Sequence, residues 1–389
     1  MIKRNNLLVF ILTIGVFGIL DTEMGVIGIL PDIADHFDVS VSKAGWLVSF
    51  FALVVAVSGP TMPLLFSGIN RKKVMLLVLG VFVLGNIVSI FTSNFTILLL
   101  ARIIPAFFHP IYCSLAFSVA AASVSKKEAP KAVSKVFIGV SAGMVVGVPV
   151  ASFIASAISL QMAMVFFAAV NAVAFIATLL FVPSMPVKAR LAYGTQLSVL
   201  KKSMTWLSIV TVILLNSAVF GVYSYLADYL KTVTNLSSNS ISLLLFVFGG
   251  ANIIGNIVAG KLLTKNAKKS VVSYPFVLGA VYILLFFTGQ FTVPMAIITL
   301  FWGVLAGIGG NITQYWIMSA APEAPDFANG LFLTAANLGT TFGAAVGGFI
   351  ISDMGTQYVV LVGILSLILG LVTILLRNYM YSSTKQLST

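Results

Sequence analysis

Apolar residues run along this chain in stretches of twenty or more, separated by short polar or turn-rich breaks. A helix needs roughly 20 such residues to cross a hydrocarbon core of about 30 Å. The stretches at 6–30, 43–67, 74–93, 96–124, 135–156, 160–182, 205–230, 240–264, 270–289, 293–320, 327–351 and 357–378 therefore read as twelve membrane spans. The first is too long for the core of a cleavable leader. The longest break, 183–204, holds Pro183, Pro186 and four basic residues and divides the spans six and six. The predicted architecture is an all-α membrane protein with halves 1–182 and 205–389 and a linker at 183–204.

Composition supports lipid as the main solvent. Of 389 residues 59% are hydrophobic and 8% charged, against about 25% charged in a soluble domain. Mean hydropathy is +1.10. The formal charge of +12 comes from uneven placement of basic residues. They fall at Lys3 and Arg4; Arg71, Lys72 and Lys73; Lys126, Lys127, Lys131 and Lys135; Lys188, Arg190, Lys201 and Lys202; Lys261, Lys265, Lys268 and Lys269; and Arg377 and Lys385. All belong to one side of a twelve-span topology. Only Lys43 and Lys231 fall on the other side, and Arg102 lies within a span. The positive-inside rule places the basic side, with both termini, in the cytoplasm. The charge then needs no nucleic-acid partner. Two histidines and the single Cys113 predict neither a disulfide nor a multi-ligand metal site.

The two halves align at one shift of 196 residues. Gly143, Gly147, Phe153 and Ile154 fall on Gly339, Gly343, Phe349 and Ile350; Gly59, Asn70, Lys72 and Lys73 on Gly255, Asn266, Lys268 and Lys269; and Asp32 on Asp228. A parallel repeat of six helices is a mark of some transporter folds, with a pathway expected between the halves.

Four segments carry a resemblance to a known family. Residues 22–34, TEMGVIGILPDIA, put an acid after Thr and end in Leu-Pro-x-Ile-Ala. Residues 101–110, ARIIPAFFHP, carry Arg102 and His109. Residues 139–149, GVSAGMVVGVP, are glycine-rich, and PEAPDFANGLF lies within 302–348. Together they resemble the major facilitator superfamily, in its bacterial twelve-helix drug:proton antiporter branch near the sugar-efflux, purine-efflux and chloramphenicol-export members. The resemblance implies a proton-coupled exporter of a small organic compound in the bacterial inner membrane, monomeric, with no cofactor. In the loop between spans 2 and 3, SGINRKK keeps Gly68, Arg71, Lys72 and Lys73 as a cytoplasmic gating loop, but the family's Asp position is not acidic.

Ionisable residues inside a span are costly and mark function by default. At ~1.5 Å per residue, Asp21 and Glu23 lie roughly 22–26 Å from the cytoplasmic end of the first span, and Arg102 about 21 Å from the same face. An acid on span 1 and Arg102 on span 4 thus share a depth. The two acids are about 200° apart around a helix, so only one can face a given partner. Glu23 matches the family's acid and is preferred as the coupling group, with Asp21 as the alternative. A purely structural Glu23–Arg102 pair remains an open reading. His109, seven residues past Arg102 on the same face, suits proton relay and packing equally. Gly139, Gly143 and Gly147, repeated as Gly339, Gly343 and Gly347, form smooth faces for close helix approach. With Pro149, the resemblance makes them a rocking contact. Asn216, Tyr223, Tyr225, Trp302, Asn311, Gln314 and Asn337 can supply hydrogen bonds and stacking surface to an amphipathic ligand, or serve as interhelical glue and interfacial anchors. No phosphate-cradling G-x-x-x-x-G-K-[ST] loop is present, so a proton gradient fits better than ATP. An importer or facilitator of sugars or nucleosides is the nearest alternative; a non-transporting receptor or scaffold is one of another class.

Overall fold

A computed structural model describes residues 2–39, 41–187 and 192–387. Lys188 and Arg190 of the predicted linker lie outside the described residues, as do the side chains of Lys3, Arg4 and Lys385. Among the described residues the chain is helical throughout, with no strand. The chain divides into two compact units, Met1–Tyr193 and Gly194–Thr389, at a point inside the 183–204 segment.

The first unit holds six spanning segments: α1 (Ile2–Gly25), α2 (Trp46–Ser58), α3 (Arg71–Phe91), α4 (Phe95–Ala122), α5 (Ala129–Ala157) and α6 (Leu160–Phe181). The second holds α7 (Ser203–Tyr223), then α8 and α9 along Ser238–Thr288, α10 (Thr292–Ala320), α11 (Pro325–Met354) and α12 (Val360–Leu387). Ser238–Thr288 reads as one long helix except at Asn266, whose φ of −159° and ψ of 87° break it in two. Twelve segments result, as the apolar runs predict. Span 2 is shorter than expected. Instead of 43–67 the helix is Trp46–Ser58 with a separate turn Met62–Phe66. Pro60 and Pro63 explain this, since neither can donate to a helical hydrogen bond.

Polar residues at the breaks start the helices. Asn70, Asn94, Ser159 and Ser237 each cap the following helix by accepting from its first free N–H groups. The 196-residue repeat is reproduced in the backbone. After α1, the chain passes through a tight 3-10 turn, Val26–Ile29, into the short helix Leu30–His36. After α7 it enters Leu226–Thr232, the same seven positions shifted by 196. Asp32 and Asp228 sit in the first turns of these two helices. Asn266 accepts from Lys269 N at 3.0 Å, and its counterpart Asn70 accepts from Lys72 N and Lys73 N. Packing is duplicated too. In the first unit α1 packs on α5 and α6, α2 on α4, and α3 on α6. In the second, α7 packs on α11 and α12, and α9 on α12.

Candidate functional site

The first unit gathers three buried ionisable groups where α1, α2 and α4 meet. Glu23, Arg102 and His109 are 8%, 3% and 4% exposed. His109 Nε2 lies 3.1 Å from Glu23 Oε2. Arg102 does not pair with the carboxylate as the sequence suggests. Its Nη2 donates to the backbone carbonyls of Thr22 at 2.8 Å and Glu23 at 3.3 Å. The reason is local. The α-helical part of α1 ends at Gly25 and tightens into the Val26–Ile29 turn. The last carbonyls of a helix lack intrahelical partners and carry partial negative charge, so a cation settles there. With Arg102 engaged on the backbone, the carboxylate is left to the imidazole. Phe51 of α2, 1% exposed, packs over both side chains. Its ring is 5.7 Å from Arg102 Cζ and edge-on to His109 at 6.0 Å. Cys113 Sγ is 3.7 Å from the same Nε2.

Asp21 faces elsewhere, as its 200° offset predicts. It is fully buried against α5, and neither carboxylate oxygen has a hydrogen-bond partner among the described residues. A Cβ at Gly147 would collide with Asp21 Oδ1. Gly143 lies over Leu20 and Asp21, where a Cβ would be 2.7 Å from Leu20 Cβ, and Gly139 lies against the Thr13 carbonyl. Gly143–Gly147 is a π-type turn rather than a smooth α-helical face, a widening often found at functional positions. Pro149 follows at the start of Val148–Ala157. In the second unit Gly339 and Gly343 pack on Asn216 and Ser217 of α7, and Gly347 on Gly221 and Tyr225. Leu20 and Asp21 shifted by 196 are Asn216 and Ser217. The repeat thus conserves the contact, while its buried acid becomes Ser217, which donates to the Gly339 carbonyl at 2.9 Å.

The seven proposed ligand contacts of the second unit are mostly engaged with other helices. Asn311 Nδ2 donates to Asn256 Oδ1 at 2.7 Å, and Gln314 Nε2 to Asn329 Oδ1 at 2.8 Å. Tyr225 donates to the Ala344 carbonyl at 2.7 Å. Trp302 is fully buried among Tyr223, Phe248 and Tyr282. Asn216 and Asn337 are half-buried and donate to carbonyls four residues back in their own helices. At the basic end of the first unit, the Gly68–Lys73 loop holds the start of the linker. Asn70 Nδ2 donates to Ser184 Oγ at 2.8 Å, Arg71 N to the Met185 carbonyl at 3.1 Å, and Lys72 Nζ to the Leu179 carbonyl at 2.9 Å.

Sequence reasoning missed Phe51, Thr22, Asn86 and Asn171. Both asparagines lie in otherwise apolar spans, which is the signal that marks them. Asn86 Nδ2 and Asn171 Nδ2 donate to Thr22 Oγ1 at 3.1 and 2.8 Å.

Comparison with known proteins agrees with this architecture. The family model described as Major Facilitator Superfamily matches residues 10–325 and again 209–388. The inner membrane transport protein YdhP of Escherichia coli K12 is 29% identical over 365 residues, covering 94% of this chain and 93% of that one. The uncharacterized MFS-type transporter YtbD of Bacillus subtilis 168 is 31% identical over 367 residues, covering 93% and 92%. The crystal structure of the human organic anion transporter MFSD10 (TETRAN) superposes with a TM-score of 0.79 at 15% identity, covering 95% of this chain and 99% of that one. FucP in its outward conformation superposes at 0.76 and 14% identity, covering 94% and 97%. Six helices twice over, a family model matched along most of the length and a relative at 31% identity meet in one conclusion: the chain is a multi-pass membrane transporter of a small molecule and belongs to the major facilitator superfamily.

Proposed function

We propose that this transporter is proton-coupled and exports a small organic compound, drug-, sugar- or purine-like, by alternating access. The reading includes a bacterial inner membrane and cytoplasmic termini. The observation that carries it is the buried contact of Glu23 Oε2 with His109 Nε2 at 3.1 Å. Two groups that each exchange a proton share one site, and Arg102 lies beside them on the carbonyls of Thr22 and Glu23. Adding or removing one proton there changes the buried charge by one unit. Such a change is expensive away from water, so the favoured protonation state differs between conformations that admit and exclude water. That dependence is what couples proton movement to a conformational cycle.

Asp21 is assigned a supporting role. It faces α5 and the Gly143–Gly147 turn rather than His109. The glycine faces, with Pro149, are proposed to let α5 and α11 move against α1 and α7. Asn216 and Asn337, half-buried on α7 and α11, are the proposed ligand contacts most able to reach a substrate. Trp302, Asn311 and Gln314 shape the wall behind them. The basic 2–3 loop, docked on the linker, is proposed as the gating element.

Glu23→Gln tests this reading. In proteoliposomes carrying an imposed pH gradient, screened over antibiotics, sugars and purines, the wild type should accumulate or expel one substrate class against its gradient. Glu23→Gln should abolish that concentration and keep downhill exchange. Full gradient-driven transport by Glu23→Gln overturns the assignment. Wild-type flux that ignores the pH gradient turns the reading to a facilitator.

A further inference from the structure

The polar atoms beside the Glu23–His109 contact form a second network with Thr22 at its centre. Thr22, Asn86 and Asn171 are 4%, 3% and 0% exposed. Thr22 Oγ1 accepts from Asn86 of α3 at 3.1 Å and from Asn171 of α6 at 2.8 Å. The carbonyl of Thr22 accepts from Arg102 of α4 at 2.8 Å. Asn171 Nδ2 also reaches the carbonyl of Gly18, one turn earlier on α1, at 3.0 Å, and that of Phe167 at 2.9 Å. A Cβ at Gly18 would lie 3.2 Å from Asn171 Oδ1, so the glycine leaves room for the amide. One residue of α1 is therefore held from three other helices through both of its polar oxygens.

We propose that Thr22, clamped by Asn86 and Asn171, is a positioning residue that fixes the rotation of α1 and so holds the Glu23 carboxylate on His109. The inference rests on the reading of Glu23 and His109 as the proton-binding pair. A helix among apolar neighbours has little to set its rotation except close packing and hydrogen bonds. The α-helical part of α1 ends at Gly25, three residues beyond Thr22, so the clamp sits in its last turn. A turn of one residue position, about 100°, would carry Glu23 away from His109. The groups in contact around Thr22, Glu23 and His109 are Arg102 and Cys113 on α4, Phe51 on α2, Asn86 on α3 and Asn171 on α6, while Asp21 on α1 faces α5.

The chain contains two histidines, His36 and His109. A His36→Gln background therefore leaves one imidazole for nitrogen NMR of the full-length protein in detergent, with no need for a known substrate. The resonance of His109 Nε2 reports the carboxylate 3.1 Å away. Glu23→Gln defines the signal with that carboxylate removed. Thr22→Val, which keeps the shape but loses the oxygen acceptor, should move the resonance most of the way to the Glu23→Gln position. Thr22→Ser, which keeps the acceptor, should leave it at the wild-type position. If Thr22→Val does not fold, Asn86→Leu removes one of the two clamping donors and should move the resonance in the same sense. A wild-type resonance in folded Thr22→Val or Asn86→Leu overturns the proposal, as does a Thr22→Ser resonance displaced like that of Thr22→Val. The coupling reading fails separately. If Glu23→Gln keeps gradient-driven transport while Thr22→Val still displaces the resonance, the clamp stands and the proton-binding assignment falls.

Discussion

At the scale of single residues, the second unit offers a clean test of buried polar pairs. Asn311 and Asn256 are each 1% exposed and joined at 2.7 Å. Asn311→Leu deprives Asn256 Oδ1 of that donor in an environment where no water replaces it. The expected cost is about 1–2 kcal/mol, read as a lower unfolding temperature in detergent. Asn256→Leu combined with Asn311→Leu should recover part of it, because neither amide is then left without its partner. A pair near the surface should behave differently. Lys202 and Glu323 hydrogen-bond between the start of α7 and the α10–α11 loop. Partial burial raises the Glu323 carboxyl, but the Lys202 hydrogen bond, a backbone hydrogen bond and the Lys202 charge together outweigh it, and the net shift is downward. A depressed folded-state value stabilises above the unfolded value and is lost as pH falls through the folded one. Glu323→Gln should then cost under about 1 kcal/mol at neutral pH, and the difference from wild type should vanish in acid, measured by melts at several pH values. The sequence made Glu23, Arg102 and His109 legible, because charge in an apolar span has few reasons to be there. It did not reveal their pairing. That depends on where α1 leaves α-helical geometry, and the Arg102 acceptors are backbone carbonyls that every sequence possesses.

At the scale of elements, the breaks in the apolar pattern were as informative as the runs. Twelve segments were legible from span length alone, whereas the caps at Asn70, Asn94 and Ser159 emerge from the structure. The division of Ser238–Thr288 rests on one residue, Asn266, and the repeat pointed to it because its counterpart is the capping Asn70. Asn70→Ala and Asn266→Ala should each cost about 1 kcal/mol in thermal unfolding. Asn266→Ala should also favour an unbroken helix through that point, seen as faster cross-linking of cysteines placed four residues apart across it. The π-type turn at Gly143–Gly147 was not legible, since the same glycine spacing reads as an ordinary packing face. Its consequence is testable. Gly143 meets Leu20 and Asp21 backbone atoms, and backbone cannot move aside as a flexible side chain can. Gly143→Leu should therefore abolish transport or assembly. Gly80→Leu is the comparison, because a Cβ at Gly80 would meet only Phe175 at 3.6 Å. Normal transport by Gly143→Leu would show that α5 can separate from α1 there without loss.

At the scale of the whole molecule, duplication explains why so much could be read from one sequence. The short helices after α1 and α7 and the breaks at Asn70 and Asn266 recur at one offset, and the differences between halves mark specialisation: the π-type turn at Gly143–Gly147 has no counterpart along Pro325–Met354, Asp21 is matched by Ser217, and Glu23 by Val219. Of the buried acids among the described residues, Asp21 and Glu23 lie in the first half and Asp326, in the first turn of α11, lies in the second. Orientation is the property that distribution of charge decides, and it can be tested without a substrate. The chain has one native cysteine, Cys113, which is buried. In a Cys113→Ser background, Ile69→Cys places a thiol at an exposed position of the 2–3 loop, and Ser93→Cys places one at an exposed position between α3 and α4. These lie at opposite ends of α3, so a single helix separates them. The basic run Arg71–Lys73 begins α3 beside Ile69, and the positive-inside rule puts that end in the cytoplasm. A membrane-impermeant maleimide applied to intact cells should label Ser93→Cys and spare Ile69→Cys, and inside-out vesicles should give the reverse. Labelling of Ile69→Cys from outside intact cells would invert the topology.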